Sequence, residues 1–279
     1  MEHRIAVTGS TGIVGGRVAR ILAADGVPLV LPVRSPDRAQ QLPGSVVRQA
    51  SYADFDASVA ALNGVDVLFM VSAAEEEDRV ATHRTLIDAA AAAGVGQIVY
   101  TSFLGAAPDA GFLLGRDHWH TEEHIRQSGM GWTFLRDNLY LDLVPALVED
   151  GVIRGPAGTG RLSAVAQADV ARSAAAILGS PEDYAGRVYR LTGSEAFTLA
   201  EAAAIISELT PATVRFEDES YEEALASRAH HGAPRWQVEA WISTYTAIAR
   251  GEMAEVSDDV ERLTGRAPLT LGQLLTAAS

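Results

Sequence analysis

The stretch Val7-Thr8-Gly9-Ser10-Thr11-Gly12-Ile13-Val14-Gly15-Gly16 constrains this chain more than any other. The apolar run Ile5-Ala6-Val7 before it reads as a buried strand. Val14, Val18, Ile21 and Leu22 after it share one face at helical spacing. Glycines 9, 12 and 15 thus give G-x-x-G-x-x-G at a strand-to-helix turn. Gly9 is expected to make the turn, Gly12 to let the backbone approach a pyrophosphate, and Gly15 to let helix and strand pack closely. Free N–H groups and the helix dipole then favour an anion at the helix N-terminus. Ser10, Thr11, Ile13 and Val14 complete the expected phosphate-binding set. A glycine triplet alone is weak evidence, but one set between a strand and an amphipathic helix is much stronger.

Strands and helices alternate from there. Leu29–Val33 reads as a second strand, with Pro32 expected near its end because proline cannot donate to a ladder. Arg34 follows it, where an acidic residue would hold the ribose 2′-hydroxyl of NAD. Arginine clamps a 2′-phosphate instead, so the position favours NADP over NAD. Val46–Ala50 is a third strand and Ala57–Leu62 a short helix. Val65–Val71 is nearly continuous apolar sequence, as expected for a strand covered on both faces, and ends in the small residues Ser72, Ala73 and Ala74. The acidic run Glu75–Asp78 reads as the first turn of the next helix, where negative charge complements the dipole. Gln97–Ser102 is a fifth strand ending in the hydroxyls of Thr101 and Ser102. A loop over 106–114, a helix over 118–128 and a sixth strand over 132–136 follow, with Asp137, Asn138 and Tyr140 at that strand's carboxyl end. Val188–Thr192 is a seventh strand, 151–160 a glycine-rich connection, and the remainder mostly helical.

This alternation predicts an α/β protein with a Rossmann-type, doubly wound parallel sheet and a smaller, mostly helical C-terminal lobe. Residues 1–139, rejoined by about 165–194, form the expected dinucleotide-binding domain; 140–164 and 195–279 form the expected substrate-capping lobe. Ligands of such sheets bind outside the carboxyl ends of the strands. The glycine turn, Arg34, Ser72, Ala73, Thr101, Asp137 and Asn138 all fall there, and together they are the expected NADP(H) contacts. The 279-residue chain carries a formal charge of −14, which disfavours nucleic-acid binding. It contains no cysteine, so thiolate catalysis, disulfides and Cys-ligated zinc are excluded. No leader and no apolar run of about 18 residues is visible, so a cytoplasmic chain without a membrane span is expected. A homo-oligomer is left open.

These residues carry a resemblance. Val7-Thr8-Gly9-Ser10-Thr11-Gly12, Val33-Arg34, Thr101-Ser102, His118 with Thr121-Glu122, Phe134-Leu135-Arg136 with Leu139-Tyr140, and Ser257-Asp258-Asp259 with Leu263 and Gly265 are similar to the NmrA-like group of atypical short-chain dehydrogenases. Within it the chain resembles the type-2 NAD(P)H:quinone oxidoreductases and triphenylmethane reductase. The resemblance implies NADPH on the large domain and hydride delivery to a quinone or similar conjugated aromatic substrate. It leaves two alternatives: an NmrA-type redox sensor that binds NADP without turnover, and a tailoring reductase or isomerase of a biosynthetic pathway. Two departures stand out. No Tyr-x-x-x-Lys follows Ser102, the nearest positions being His118 and Glu122, and Asp137 replaces an asparagine common in relatives. His118, ordinarily titrating near neutrality, is the first candidate proton donor and Tyr140 the second; Ser102 is expected to hydrogen-bond the acceptor. No metal is expected: of His118, His120 and His124 only the last two have the i, i+4 spacing of ligands on one helix face, no H-E-x-x-H is present, and His230-His231 reads as a helix end.

Overall fold

The structure, a computed structural model, describes residues 3–278. In chain order its elements are β1 (Ile5–Val7), α1 (Ile13–Ala24), β2 (Leu29–Val33), β3 (Ser45–Gln49), α2 (Phe55–Leu62), β4 (Val67–Met70), α3 (Arg79–Ala92), β5 (Gln97–Phe103), α4 (Leu113–Gln127) and β6 (Gly131–Asp137). Then come β7 (Val148–Glu149), β8 (Val152–Gly155), β9 (Arg161–Leu162), α5 (Gln167–Leu178), β10 (Arg187–Leu191) and β11 (Phe197–Thr198). The chain ends with α6 (Leu199–Leu209), β12 (Arg215–Asp218), α7 (Tyr221–Ser227), α8 (Arg235–Ala249), α9 (Asp259–Thr264) and α10 (Leu271–Ala278). The described chain divides into two compact units. The first is Met1–Phe103, Asp117–Arg136 and Val170–Tyr189; the second is Leu104–Arg116, Asp137–Asp169 and Arg190–Ser279.

The central sheet has seven strands in the order β10-β6-β5-β4-β1-β2-β3. The reversal at β1 is the mark of a doubly wound sheet, as the sequence predicts. β3, β2, β1, β4 and β5 pair in parallel. β5 and β6 begin together, Gly131 N–H donating to the Gly96 carbonyl, and end together, Leu104 N–H donating to Asp137. β6 and β10 do the same through Gly186 to Trp132 and Asn138 to Leu191, so all seven run one way. Val67–Met70 and Gln97–Phe103 are buried at every position, which is why their sequences read as unbroken apolar runs. One core cluster joins Leu68, Met70, Ile98, Tyr100 and Phe134 from the strands to Leu62, Leu86, Ile87 and Ile125 from the helices.

Several local expectations need correction. Pro32 is an interior residue of β2, opposite Arg48 of β3. Registered pairing of β2 with β1 stops at Val30, so the proline lies where the strand is paired on one side only. The acidic run 75–78 precedes α3 instead of opening it. Arg79 opens that helix, and its Nε donates to the Ala73 carbonyl at 3.1 Å, closing the intervening residues into a loop. α4 begins at Leu113, inside the expected loop, because Ser243 Oγ accepts the Leu113 N–H at 3.0 Å. That cap comes from 130 residues away and has no local signal.

The second unit is less purely helical than its sequence suggests. β12, β8 and β7 make a three-stranded sheet, and β11 with β9 a two-stranded one. The glycine-rich 151–160 therefore contains a strand. These strands have two to four residues, too few for periodicity to show. Ser257-Asp258-Asp259 is an anchor here. Thr192 Oγ1 accepts from Ser257 N–H at 2.9 Å, and Asp259 accepts from the Arg190 N–H at 2.8 Å, fixing α9 beside the end of β10. No helix among the described residues is long and apolar enough to cross a membrane.

Candidate active site

β1 runs into α1 through a turn that requires its glycines. Gly9 has φ of 62°, the left-handed region. A Cβ at Gly15 would stand 2.5 Å from the carbonyl oxygens of both Thr8 and Gly9, so only glycine lets α1 pack this close to β1. Gly12 N–H donates to the Gly9 carbonyl at 2.9 Å and serves as N-cap of α1. Thr8 fastens the turn to β4. Its Oγ1 donates to the Phe69 carbonyl at 3.1 Å and accepts from Val71 N–H at 3.0 Å. The Tyr52 hydroxyl stands 2.6 Å from that oxygen and donates to the Val71 carbonyl at 2.7 Å; burial pushes its pKa up.

The turn is rigid, yet its outward groups are unspent. α1 has no side-chain N-cap and no acidic residue in its first turn. Ser10 is buried, and its Oγ has no hydrogen-bond partner. Thr11 and Gly12 are exposed, Val14 is buried, and Ile13 is left 56% exposed at the first helical position. Arg34, exposed one residue past β2, makes no hydrogen bond or ion pair through its guanidinium among the described residues. A helix start offering N–H groups, an orphaned hydroxyl and an uncommitted guanidinium at the next strand end fit the diphosphate and 2′-phosphate of NADP.

The ends of β4 and β5 are built differently. Ser72 N–H donates to Thr101 Oγ1 at 2.8 Å. Ala73 N–H donates to His83 Nε2 at 2.9 Å, which places the His83 proton on Nδ1. Nδ1 donates to Thr121 Oγ1 at 2.9 Å, and Thr121 donates to the Asp117 carbonyl at 2.8 Å. Arg79, buried among them, donates to His118 Nε2 at 3.2 Å; His118 Nδ1 then donates to the Tyr100 hydroxyl at 2.9 Å. Asp117 Oδ2 is 3.8 Å from Arg79 Nη1, which has no hydrogen bond of its own. Burial, helped by Arg79, lowers the His83 pKa to about 3. Burial first and Arg79 second push His118 well below its usual value as well. Both imidazoles are neutral at pH 7.

Ser102 lies in a second knot. Its hydroxyl donates to Glu122 Oε1 at 2.6 Å. Arg136 grips the same carboxylate with two bonds of 2.8 and 2.7 Å, and Arg126 adds a third at 3.1 Å. Glu122 is fully buried, so two guanidinium groups and a hydroxyl replace its water. Arg126 in turn lies 4.7 Å from the Phe134 ring centre and 5.0 Å from that of Trp132.

In the second unit, Tyr140 is half-buried and its hydroxyl donates to Asp137 Oδ2 at 2.8 Å. The Asn138 amide is committed. It donates to the Ser163 carbonyl and Oγ and to the Met253 carbonyl, while its oxygen accepts the Leu139 N–H.

A family model described as NAD(P)H-binding matches residues 9–181, from the glycine turn to the start of β10's approach. The chain belongs to this NAD(P)H-binding family. Quinone oxidoreductase 2 of Escherichia coli is 35% identical over 279 residues, 96% of each chain. A crystal structure of the NADPH-dependent quinone oxidoreductase of Escherichia coli complexed with NADPH superposes with a TM-score of 0.89 at 33% identity, covering 98% of this chain and 99% of that one. Triphenylmethane reductase of Citrobacter sp., complexed with NADP(H), gives a TM-score of 0.86 at 30% identity, again covering 98% and 99%.

Among the predicted site residues, the structure brings Ser72 to Thr101 and Ala73 to the His83–Arg79 network, and pairs Tyr140 with Asp137. Ser102, His118 and Asn138 are each buried and turned to internal partners. Sequence reasoning missed Arg79, His83 and Glu122's role as an ion-pair centre. The one local signal was Arg79 and His83 at i, i+4 on one helix face, which alone has no meaning. The chain also contains no lysine anywhere, so no ammonium replaces the missing Tyr-x-x-x-Lys partner in this member of the family.

Proposed function

We propose that this protein is an NADPH-dependent oxidoreductase that delivers hydride to a quinone or a similar conjugated aromatic acceptor. The observation that carries the coenzyme half is the set of groups at the glycine turn left unspent among the described residues: buried Ser10 Oγ without a partner, the start of α1 without a side-chain cap, and Arg34 without a counter-ion. The activities named for the relatives support the acceptor half. In this reading Gly9, Ser10, Thr11, Gly12, Ile13 and Val14 cradle the diphosphate and Arg34 takes the 2′-phosphate. Ser72, Ala73 and Thr101 line the coenzyme's path, and Asp137 flanks it. The coenzyme falls to residues 1–139 and 165–194, and acceptor selection to 140–164 and 195–279. The protein acts in the cytoplasm, without nucleic acid.

NADPH, when bound, supplies the hydride, and the protein supplies position and exclusion of water. The chain's own acid–base groups divide by burial. His118 is neutral and spends both ring nitrogens on Arg79 and Tyr100, so it holds the Ser72–Ala73 strand end through Arg79. Ser102 holds Glu122. Asn138 positions the backbone after β6. Tyr140, the one candidate of the three left half-buried, is assigned as the proton donor, its hydroxyl oriented by Asp137. A quinone needs that proton as its oxygen gains charge, whereas a cationic dye is neutralised by hydride alone. The test is NADPH oxidation against a panel of quinones and cationic dyes with an enzyme-free blank. Tyr140→Phe is expected to slow quinones more than cationic dyes. Saturable NADPH binding with no acceptor-dependent oxidation would replace this reading with that of a coenzyme sensor.

A further inference from the structure

Apart from the residues assigned to the coenzyme and the proton donor, the second unit gathers two imidazoles and a carboxylate at one point of its surface. His230 Nε2 lies 4.0 Å from Glu149 Oε2, and His231 Nε2 lies 3.7 Å from Glu149 Oε1. One ligand atom from each of the three falls within 4.8 Å of the others. We propose that Glu149, His230 and His231 form a binding site for a divalent transition-metal ion of the zinc, nickel and copper class.

The donor set selects that class. Two imidazole nitrogens and one carboxylate oxygen suit borderline cations, while calcium and magnesium need mostly oxygen. Bonds of about 2.0–2.2 Å to a tetrahedral ion place neighbouring ligand atoms roughly 3.3 Å apart. The separations here close to that value by a small turn of exposed side chains.

The outer contacts match a metal site. His230 Nδ1 lies 2.8 Å from the Ser227 carbonyl, which only accepts, so Nδ1 carries the proton and Nε2 turns a lone pair toward Glu149. A ligating histidine held through its other nitrogen by a carbonyl is the usual arrangement around bound metals. His231 is packed edge-on against Trp241, ring centres 5.7 Å apart.

Both supporting segments are locally fixed. Glu149 ends β7, and Asp150 and Gly151, with φ of 51° and 76°, turn the chain tightly back into β8. Gly232, with φ of 63°, stops the single helical turn that carries the two histidines. Glu149 has no arginine partner among the described residues and the sequence has no lysine, so a permanent cation does not already satisfy it. The His230 and His231 rings sit 4.0 Å apart, tilted against each other. The bound ion would tie the β7–β8 turn to the connection between α7 and α8, leaving its remaining position open to solvent.

The test uses the full chain with any affinity tag removed. Titration with zinc by calorimetry is expected to give one saturable site in the micromolar range. Zinc is expected to raise the melting temperature, and copper to quench tryptophan fluorescence in a manner lost in Trp241→Phe. Glu149→Gln and His230→Ala are each expected to weaken zinc at least tenfold, and His230→Ala with His231→Ala to abolish the site. NADPH affinity without metal stays unchanged in these exposed-residue variants, since the coenzyme is assigned to the other segments. His120→Ala with His124→Ala, which removes the other closely spaced histidines, is expected to leave zinc binding intact. Wild-type affinity no better than millimolar would overturn the proposal. So would an undiminished site in the Glu149 and His230 variants, or its loss in the His120/His124 variant.

Discussion

The first unit treats two strand ends in opposite ways. At the end of β1, the backbone is locked and the outward groups are left over: Ser10 Oγ, the start of α1, and Arg34 one strand away. At the ends of β4 and β5 the side chains are locked as well. His83, His118, Thr121, Ser102 and Glu122 each close on a partner within the protein. A buried polar group without a partner costs roughly 1–3 kcal/mol, so a fold keeps one only where something else completes it. In the proposed reading the leftover groups are where the coenzyme binds, and the closed network supports the strand ends beside them.

Removing a member from each side separates these roles. The largest effect is expected from Glu122→Gln, which leaves Arg136 and Arg126 facing a buried amide. Breaking such a pair costs about 3–5 kcal/mol. Urea unfolding should show that loss, and any folded fraction should keep its affinity for NADPH. A selective loss of NADPH affinity with normal stability would move Glu122 to the ligand side.

Arg34→Ala inverts that pattern. Stability should not change, because the side chain is exposed and has no ion-pair partner among the described residues. The KM for NADPH should rise by roughly tenfold to a hundredfold, the worth of a charge-assisted bond of about 1.5–3 kcal/mol. The KM for NADH should stay put. If Arg34→Ala changes neither coenzyme's KM, the 2′-phosphate assignment fails.

The closed network also predicts a pH dependence. His83 is depressed from 6.5 to about 3 by burial and Arg79. Between those values the unfolded chain binds a proton that the folded chain does not, so stability falls as pH falls. The slope per such group is about 1.4 kcal/mol per pH unit. The stability is unaffected by this group above 6.5 and falls progressively from there down to about 3. His83→Gln, whose amide still accepts from Ala73, should flatten the drop in urea midpoint between pH 7 and pH 5. An equally steep drop in the variant would show that His83 is not neutral in the fold.

The smallest effect belongs to Ser10→Ala. It removes a hydroxyl that bonds to nothing among the described residues, so stability should hold or rise slightly. NADPH should bind severalfold more weakly, by about 0.5–1.5 kcal/mol, in a fluorescence titration. A loss of stability with unchanged NADPH affinity would make Ser10 part of the closed region instead.

The two regions also differed in how well they could be read from sequence. The glycine turn was legible because its parts lie within ten residues and each glycine answers a backbone requirement: a positive φ at position 9 and a 2.5 Å obstruction at 15. The strands β2, β4 and β5 and the helix α6 were legible because burial leaves a period in the sequence. The network was not. Arg79 meets His118 across 39 residues, and His83 meets Thr121 across 38. In sequence His118 looked like a proton donor, since a histidine near neutrality is the natural choice; in the structure burial, with Arg79 beside it, lowers its pKa, and both ring nitrogens face internal partners.

The sequence by itself determined the doubly wound sheet, the glycine turn between its first strand and helix, and the choice of the phosphorylated coenzyme. All three follow from local rules of backbone freedom, hydrophobic period and one charged residue past a strand. Only the tertiary structure decided which polar groups were free. Partnership in a buried network depends on side chains brought together from distant segments, and their desolvation, not their identity, sets what each can still donate or accept.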